Sequence, residues 1–123
     1  SMISGGIGAR HPKLRIAFSH GGGVMSILLP RLVHAWNVFP KAKEALPESP
    51  AVTARRFYYD QLVFDPAAVR FVIQTFGETQ ILIGSDYPFA MGDFHPMKTL
   101  EASVHGETLV AISSTNAKRF LGL

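Results

Sequence analysis

The sequence predicts an α/β fold in which parallel strands alternate with helices that cover them. Three observations lead there. Leu14 to Ser19 and Gln80 to Gly84 are short apolar runs with the length and composition of buried central strands. Arg56 to Phe64 opens as a third, aromatic strand. The segments between them carry helical spacing, and strands alternating with helices imply parallel pairing with right-handed crossovers.

Taken in order, the first strand ends at His20 and is followed by Gly21, Gly22 and Gly23. Val24 to Trp36 is too long and too apolar for a strand, which predicts a buried helix kinked or divided at Pro30. Phe39 to Pro50 holds prolines at 40, 47 and 50 and reads as an excursion loop. After the aromatic strand the helix signals are complete. Asp65 is an N-cap, Pro66 takes the first helical position, and Val69, Val72, Ile73 and Phe76 recur on one face before Gly77 stops it. Gln80 to Gly84 then runs into Ser85, Asp86, Tyr87 and Pro88. From Phe94 onward two helices are expected, the last over roughly Glu107 to Phe120 with Leu109, Ile112 and Phe120 facing the core.

Composition limits the function. The chain has 123 residues, 47% hydrophobic and 17% charged, which is the material of one ordered domain. The absence of cysteine excludes a disulfide framework, a thiolate nucleophile and a thiolate zinc site, and fits a reducing, cytoplasmic compartment. The net charge of +3 is scattered, with no basic run to track phosphates, so no nucleic-acid partner is expected. No apolar stretch approaches the roughly 20 residues of a membrane helix, so no membrane partner is expected either. Residues 1–6 have neither the basic region nor the apolar core of a signal peptide, and Ser1 before Met2 reads as a cloning scar.

In parallel α/β folds ligands collect at the carboxyl ends of the strands. Here those ends are His20, Asp60 and Asp86, three side chains that move protons or bind metals, placed on one rim. An imidazole ahead of three glycines lets a ligand approach bare backbone; its plain alternative is a histidine beside a flexible turn. A carboxylate directly after an apolar strand needs a cation or donors to stay ionised; its alternative is an aspartate capping the turn before Pro88. Arg31 either forks onto a substrate carboxylate or is a solvated helix residue. Asp60 either supports the site or partners Arg55 or Arg56. His34 reads as structural, His11 as exposed, and His95 and His105 as residues at helix starts or turns. Phe57, Tyr58 and Tyr59 read as core. The phosphate loop, the dinucleotide fingerprint and the nucleophile elbow that an HGGG oxyanion loop requires are all missing.

Several of these runs resemble one family. His11 to Arg15, His20 to Gly23, Arg31, Phe57 to Asp60, Gly84 to Phe89 and the closing Asn116 to Leu123 resemble, in the same order, the amidohydrolase-related family typified by aminocarboxymuconate-semialdehyde decarboxylase. The resemblance implies a (β/α)8 TIM barrel with one divalent metal, zinc or alternatively manganese, at the carboxyl end of its strands. It identifies His20 with the catalytic histidine after the sixth strand and Asp86 with the metal-ligating, catalytic aspartate after the eighth. Arg31 resembles the arginine that grips the substrate carboxylate, and Phe89 the aromatic residue near the pocket floor.

By that resemblance residues 1–123 form a single partial domain, the C-terminal half of the barrel with strands six to eight, since a complete barrel takes about 250 residues. Residues 1–10 combine the scar with the tail of the preceding helix. The implied function is a metal-dependent decarboxylase or hydrolase acting on a carboxylated aromatic or unsaturated acid, a small-molecule partner. The other metal ligands have no counterpart here, so the isolated chain is expected to hold an incomplete site and to be inactive. The alternative is a non-catalytic remnant or a self-associating half-barrel. A half-barrel exposes two strand edges and an apolar inner face, which predicts a homo-oligomer.

Overall fold

The computed structural model describes Ile3 and residues 5–123; the expected scar at Ser1 lies outside them. A single helical turn, α1 (Ile7–Arg10), leads into β1 (Ala17–Phe18). A tight 3-10 turn over His20–Gly22 connects β1 to α2 (Met25–Val38). Two short helices, α3 (Pro40–Ala45) and α4 (Pro50–Ala54), precede β2 (Tyr58–Asp60). Then come α5 (Pro66–Phe76), β3 (Ile81–Leu82) and α6 (Pro96–Ser103). A last helical stretch runs through α7 (Gly106–Val110), a π turn at Ala111–Thr115 and α8 (Asn116–Leu121).

The three strands form one parallel sheet in the order β1-β2-β3, with Phe18 beside Tyr59 and Asp60 beside Leu82. Parallel pairing, as the sequence predicts, sends all three exits to the same side. Aromatic rings cement one face. Tyr59 lies flat on Phe76 of α5, with centroids 3.7 Å apart and planes 10° from parallel. Phe18 packs edge-on to Phe57 at 5.4 Å. Burial pushes the Tyr59 hydroxyl far above the usual tyrosine range, and it donates to the Ala54 carbonyl at 2.8 Å. Gly22 has φ 75°, and a Cβ there would stand 2.7 Å from the Tyr59 ring, so the turn after β1 admits no side chain at that point.

Helix α5 forms as expected. The Asp65 carboxylate accepts from the Ala68 amide at 2.9 Å, Pro66 opens the helix and Gly77 closes it. Val69, Val72 and Phe76 are buried, each contributing roughly 1.5–3 kcal/mol of transfer free energy.

Helix α2 departs from expectation in its exposure, and at Pro30 it is not divided. It runs unbroken through Pro30, which costs it the amide that would have bonded to the Ser26 carbonyl, while the neighbouring Leu29 anchors it in the core. Nor is it buried: Val24 is 67% and Ile27 72% exposed, because only the Ser26 and Leu29 side meets the rest of the chain. The expected excursion loop contains α3. Pro40 starts that helix, the Trp36 indole donates to the Leu46 carbonyl at 2.9 Å, and Lys43 sits 4.9 Å over the Trp36 ring.

The expectation of two open strand edges is also corrected. Leu82 faces β2, accepting from the Gln61 amide, so the alternate groups of β3 point outward. The Asn116 side chain donates to the Ile81 carbonyl at 2.7 Å, and the Ile83 amide donates to the Ile112 carbonyl at 3.2 Å. The last helix thus closes that edge, and Phe120 packs on Tyr58 at 5.1 Å, on the face opposite Tyr59. Leu109 and Ile112 join the core as predicted, whereas Phe120 is half-buried against Tyr58, outside it. Beyond β1, no strand follows among the described residues.

Candidate active site

The shared rim brings His20 and Asp86 together. His20 Nε2 stands 3.4 Å from Asp86 Oδ2 across 66 positions of chain. That is long for a hydrogen bond, a spacing that a bound substrate or ion can tighten. The His20 side chain is 56% exposed and that of Asp86 27%, so the imidazole meets solvent while the carboxylate is sheltered. Both line a cleft of about 310 Å³ with Leu62, Phe64 and Met91.

Backbone geometry singles out the same cleft. Among the described residues, the non-glycine positions with positive φ are His20 at 55°, Phe64 at 59° and Asp86 at 58°. All three line it. Each such conformation costs of order 1–3 kcal/mol and persists only where surrounding contacts enforce it, a pattern that gathers at functional sites.

Asp60, the third rim residue, turns into the framework. Its Oδ1 accepts from the amides of Gly21 at 3.0 Å and Leu62 at 3.1 Å. It is not paired with Arg55 or Arg56, which bond instead to the Thr75 carbonyl and to Glu48. Sequence reasoning missed Gln61, a fully buried amide that donates to the Gly84 carbonyl at 3.1 Å. Its only sequence signal is a polar residue within an apolar strand.

The two expected substrate-binding residues do not join the cleft. Arg31 is exposed on α2, and Phe89, 65% exposed, sits on the loop beyond Asp86, its amide donating to the Asp86 carbonyl at 2.9 Å. His34 and His11 are exposed, and His95 and His105 precede α6 and α7.

The donor set does not fit a complete metal site. His20 and Asp86 supply two donors where a catalytic metal takes at least three, and no group of three or more His, Cys, Asp or Glu converges among the described residues.

Known proteins match this chain in sequence and in fold. The amidohydrolase family profile matches residues 1–123. The chain is 34% identical over its whole length to 2-amino-3-carboxymuconate-6-semialdehyde decarboxylase from Dictyostelium discoideum, covering 35% of that protein. It also matches the crystal structure of 5-carboxyvanillate decarboxylase from Sphingomonas paucimobilis at 26% identity and TM-score 0.82, over 99% of this chain and 38% of that one. A dihydroxybenzoic acid decarboxylase from Polaromonas, solved with bound manganese and 2-nitroresorcinol, shares the fold at 20% identity and TM-score 0.80, over 99% of this chain and 38% of that one. The chain thus spans about a third of the length of the relatives it matches.

Proposed function

The chain belongs to the amidohydrolase family, and on that premise we propose that it carries the proton-transfer side of a divalent-metal-dependent decarboxylase acting on a carboxylated aromatic or unsaturated acid in the cytoplasm. The observation that carries this reading is the 3.4 Å meeting of His20 and Asp86 at one cleft. Decarboxylation breaks a carbon–carboxylate bond, carbon dioxide leaves, and the electron pair stays on the substrate carbon. His20 delivers a proton to that carbon and recovers one from water through its exposed ring. Arg31 and Phe89 lie outside the cleft and are assigned to substrate binding on the family resemblance alone, Arg31 by gripping the substrate's carboxylate. Both lie on segments that leave the rim, α2 and the loop after Asp86.

Asp86 would be one ligand of a zinc or manganese ion, with its further ligands supplied from outside the described residues. Such an ion, when bound, supplies positive charge to hold an acidic substrate. Residues 1–123 then form the C-terminal part of a barrel, equivalent to its strands six to eight.

Manganese alone tests the assignment on this chain. Titration followed by nuclear magnetic resonance is expected to broaden signals first around Asp86 and His20, and Asp86→Asn is expected to abolish the effect. Broadening elsewhere, or unchanged in Asp86→Asn, would reject it.

A second reading, a non-catalytic half-barrel that self-associates, is favoured by the apolar surface at Val24, Ile27, Met91 and Leu123, which are 67%, 72%, 81% and 88% exposed. A metal-free homo-oligomer in sedimentation, with no response to manganese, would select it over the first.

A further inference from the structure

We infer that Asp60 is a positioning residue that sets the backbone of His20, an inference that rests on reading His20 as the proton-transferring group. The amide of Gly21 belongs to the peptide unit immediately after His20, and its orientation is fixed by the His20 backbone. That amide donates to Asp60 Oδ1 at 3.0 Å. The charged acceptor therefore holds His20 at φ 55°, a conformation L-residues avoid. The same oxygen accepts from Leu62 at 3.1 Å, a local turn that fixes the carboxylate's own direction.

Asp60 also bears on the opposite strand end. A Cβ added at Gly84 would stand 2.9 Å from Asp60 Cβ and 3.3 Å from its Oδ2, so the two segments touch with no room for a side chain. Gly84 lies two residues before Asp86, and its carbonyl is tied by Gln61. The last residue of the central strand is thus wedged between the exits that carry His20 and Asp86. Its carboxylate bonds to the amides of Gly21 and Leu62 and not to the His20 or Asp86 side chain, so it acts through the backbone that presents them.

Two readouts test this. On the chain itself, the three-bond amide coupling and Cα shift of His20 report its φ. Asp60→Asn keeps the acceptor and is expected to retain the left-handed signature; Asp60→Ala is expected to lose it. In a chimera where residues 11–123 replace the matching segment of the Dictyostelium decarboxylase, Asp60→Ala is expected to lower kcat up to about 100-fold with little change in KM, since misplacement by an ångström costs that much. Asp60→Asn is expected to restore most of it. A folded Asp60→Ala chain that keeps the His20 signature overturns the inference. If Asp60→Ala does not fold, Asp60→Ser keeps the turn to Leu62 but falls short of Gly21, and the same signature decides. A chimera without carbon dioxide release would count against the proposed activity, while the His20 signature still decides the role of Asp60.

Discussion

Asn116 places its side-chain amide 2.7 Å from the carbonyl of Ile81 and 2.8 Å from that of Glu78, fully buried between the last helix and the edge of β3. One side chain thereby satisfies two backbone acceptors where a further strand would otherwise lie. Asn116→Leu leaves both carbonyls without that donor, at an expected cost of about 1–3 kcal/mol. A urea midpoint equal to that of the parent chain would show that the edge is held by something else.

The three glycines after His20 should not be equivalent. A Cβ at Gly22 meets the Tyr59 ring at 2.7 Å, whereas one at Gly23 meets nothing within 4 Å, and both have positive φ. Gly23→Ala should therefore cost only the backbone term, about 1–3 kcal/mol, because φ 61° with ψ −132° lies outside the left-handed helical region. Gly22→Ala adds overpacking of about 1–3 kcal/mol. Thermal melts should rank the parent above Gly23→Ala and Gly23→Ala above Gly22→Ala; equal melting points for the two variants would contradict the close approach.

Tyr59 supplies a pH dependence. Burial raises the folded-state pKa of its hydroxyl above the unfolded value of about 10. The unfolded chain therefore releases this proton first, and the stability contributed by keeping Tyr59 neutral is complete below that pH and declines above it. Tyr59→Phe should lose about 1 kcal/mol at neutral pH with the bond to Ala54, yet fall less steeply in alkali. Parallel stability curves for parent and variant between neutral and strongly alkaline pH would refute this.

His20 and Asp86 should fail in different ways in the decarboxylase chimera. His20→Asn removes the proton donor and should reduce carbon dioxide release by about 100- to 10,000-fold while leaving metal content intact. Asp86→Asn should lower metal content itself. Elemental analysis alongside the assay reads both, and the opposite pattern would exchange the two roles.

Local signals made α5 and the strand exits legible: the Asp65 cap, the Val69, Val72 and Phe76 face, and the residues His20, Asp60 and Asp86 at the ends of apolar runs. Tertiary relations were not. The apolar run of α2 states that its residues favour burial, but not that the covering surface belongs to this chain, and Ile27 is left 72% exposed. Pro30 signals a break locally, yet the helix runs on through it, with Leu29 beside it buried in the core. Asp60 was visible as a rim residue, but its partner Gly21 lies 39 positions away, and no spacing rule connects them.

Among the described residues the sheet has one finished flank and one unfinished flank. With Asn116 and Ile112 occupying the outward groups of β3, sideways growth has a direction: additional β material, from whatever source, zips on alongside Ala17 and Phe18. A short extended peptide patterned to lie along those two residues is therefore the reagent to block that growth, and a peptide aimed at β3 should find its place already taken.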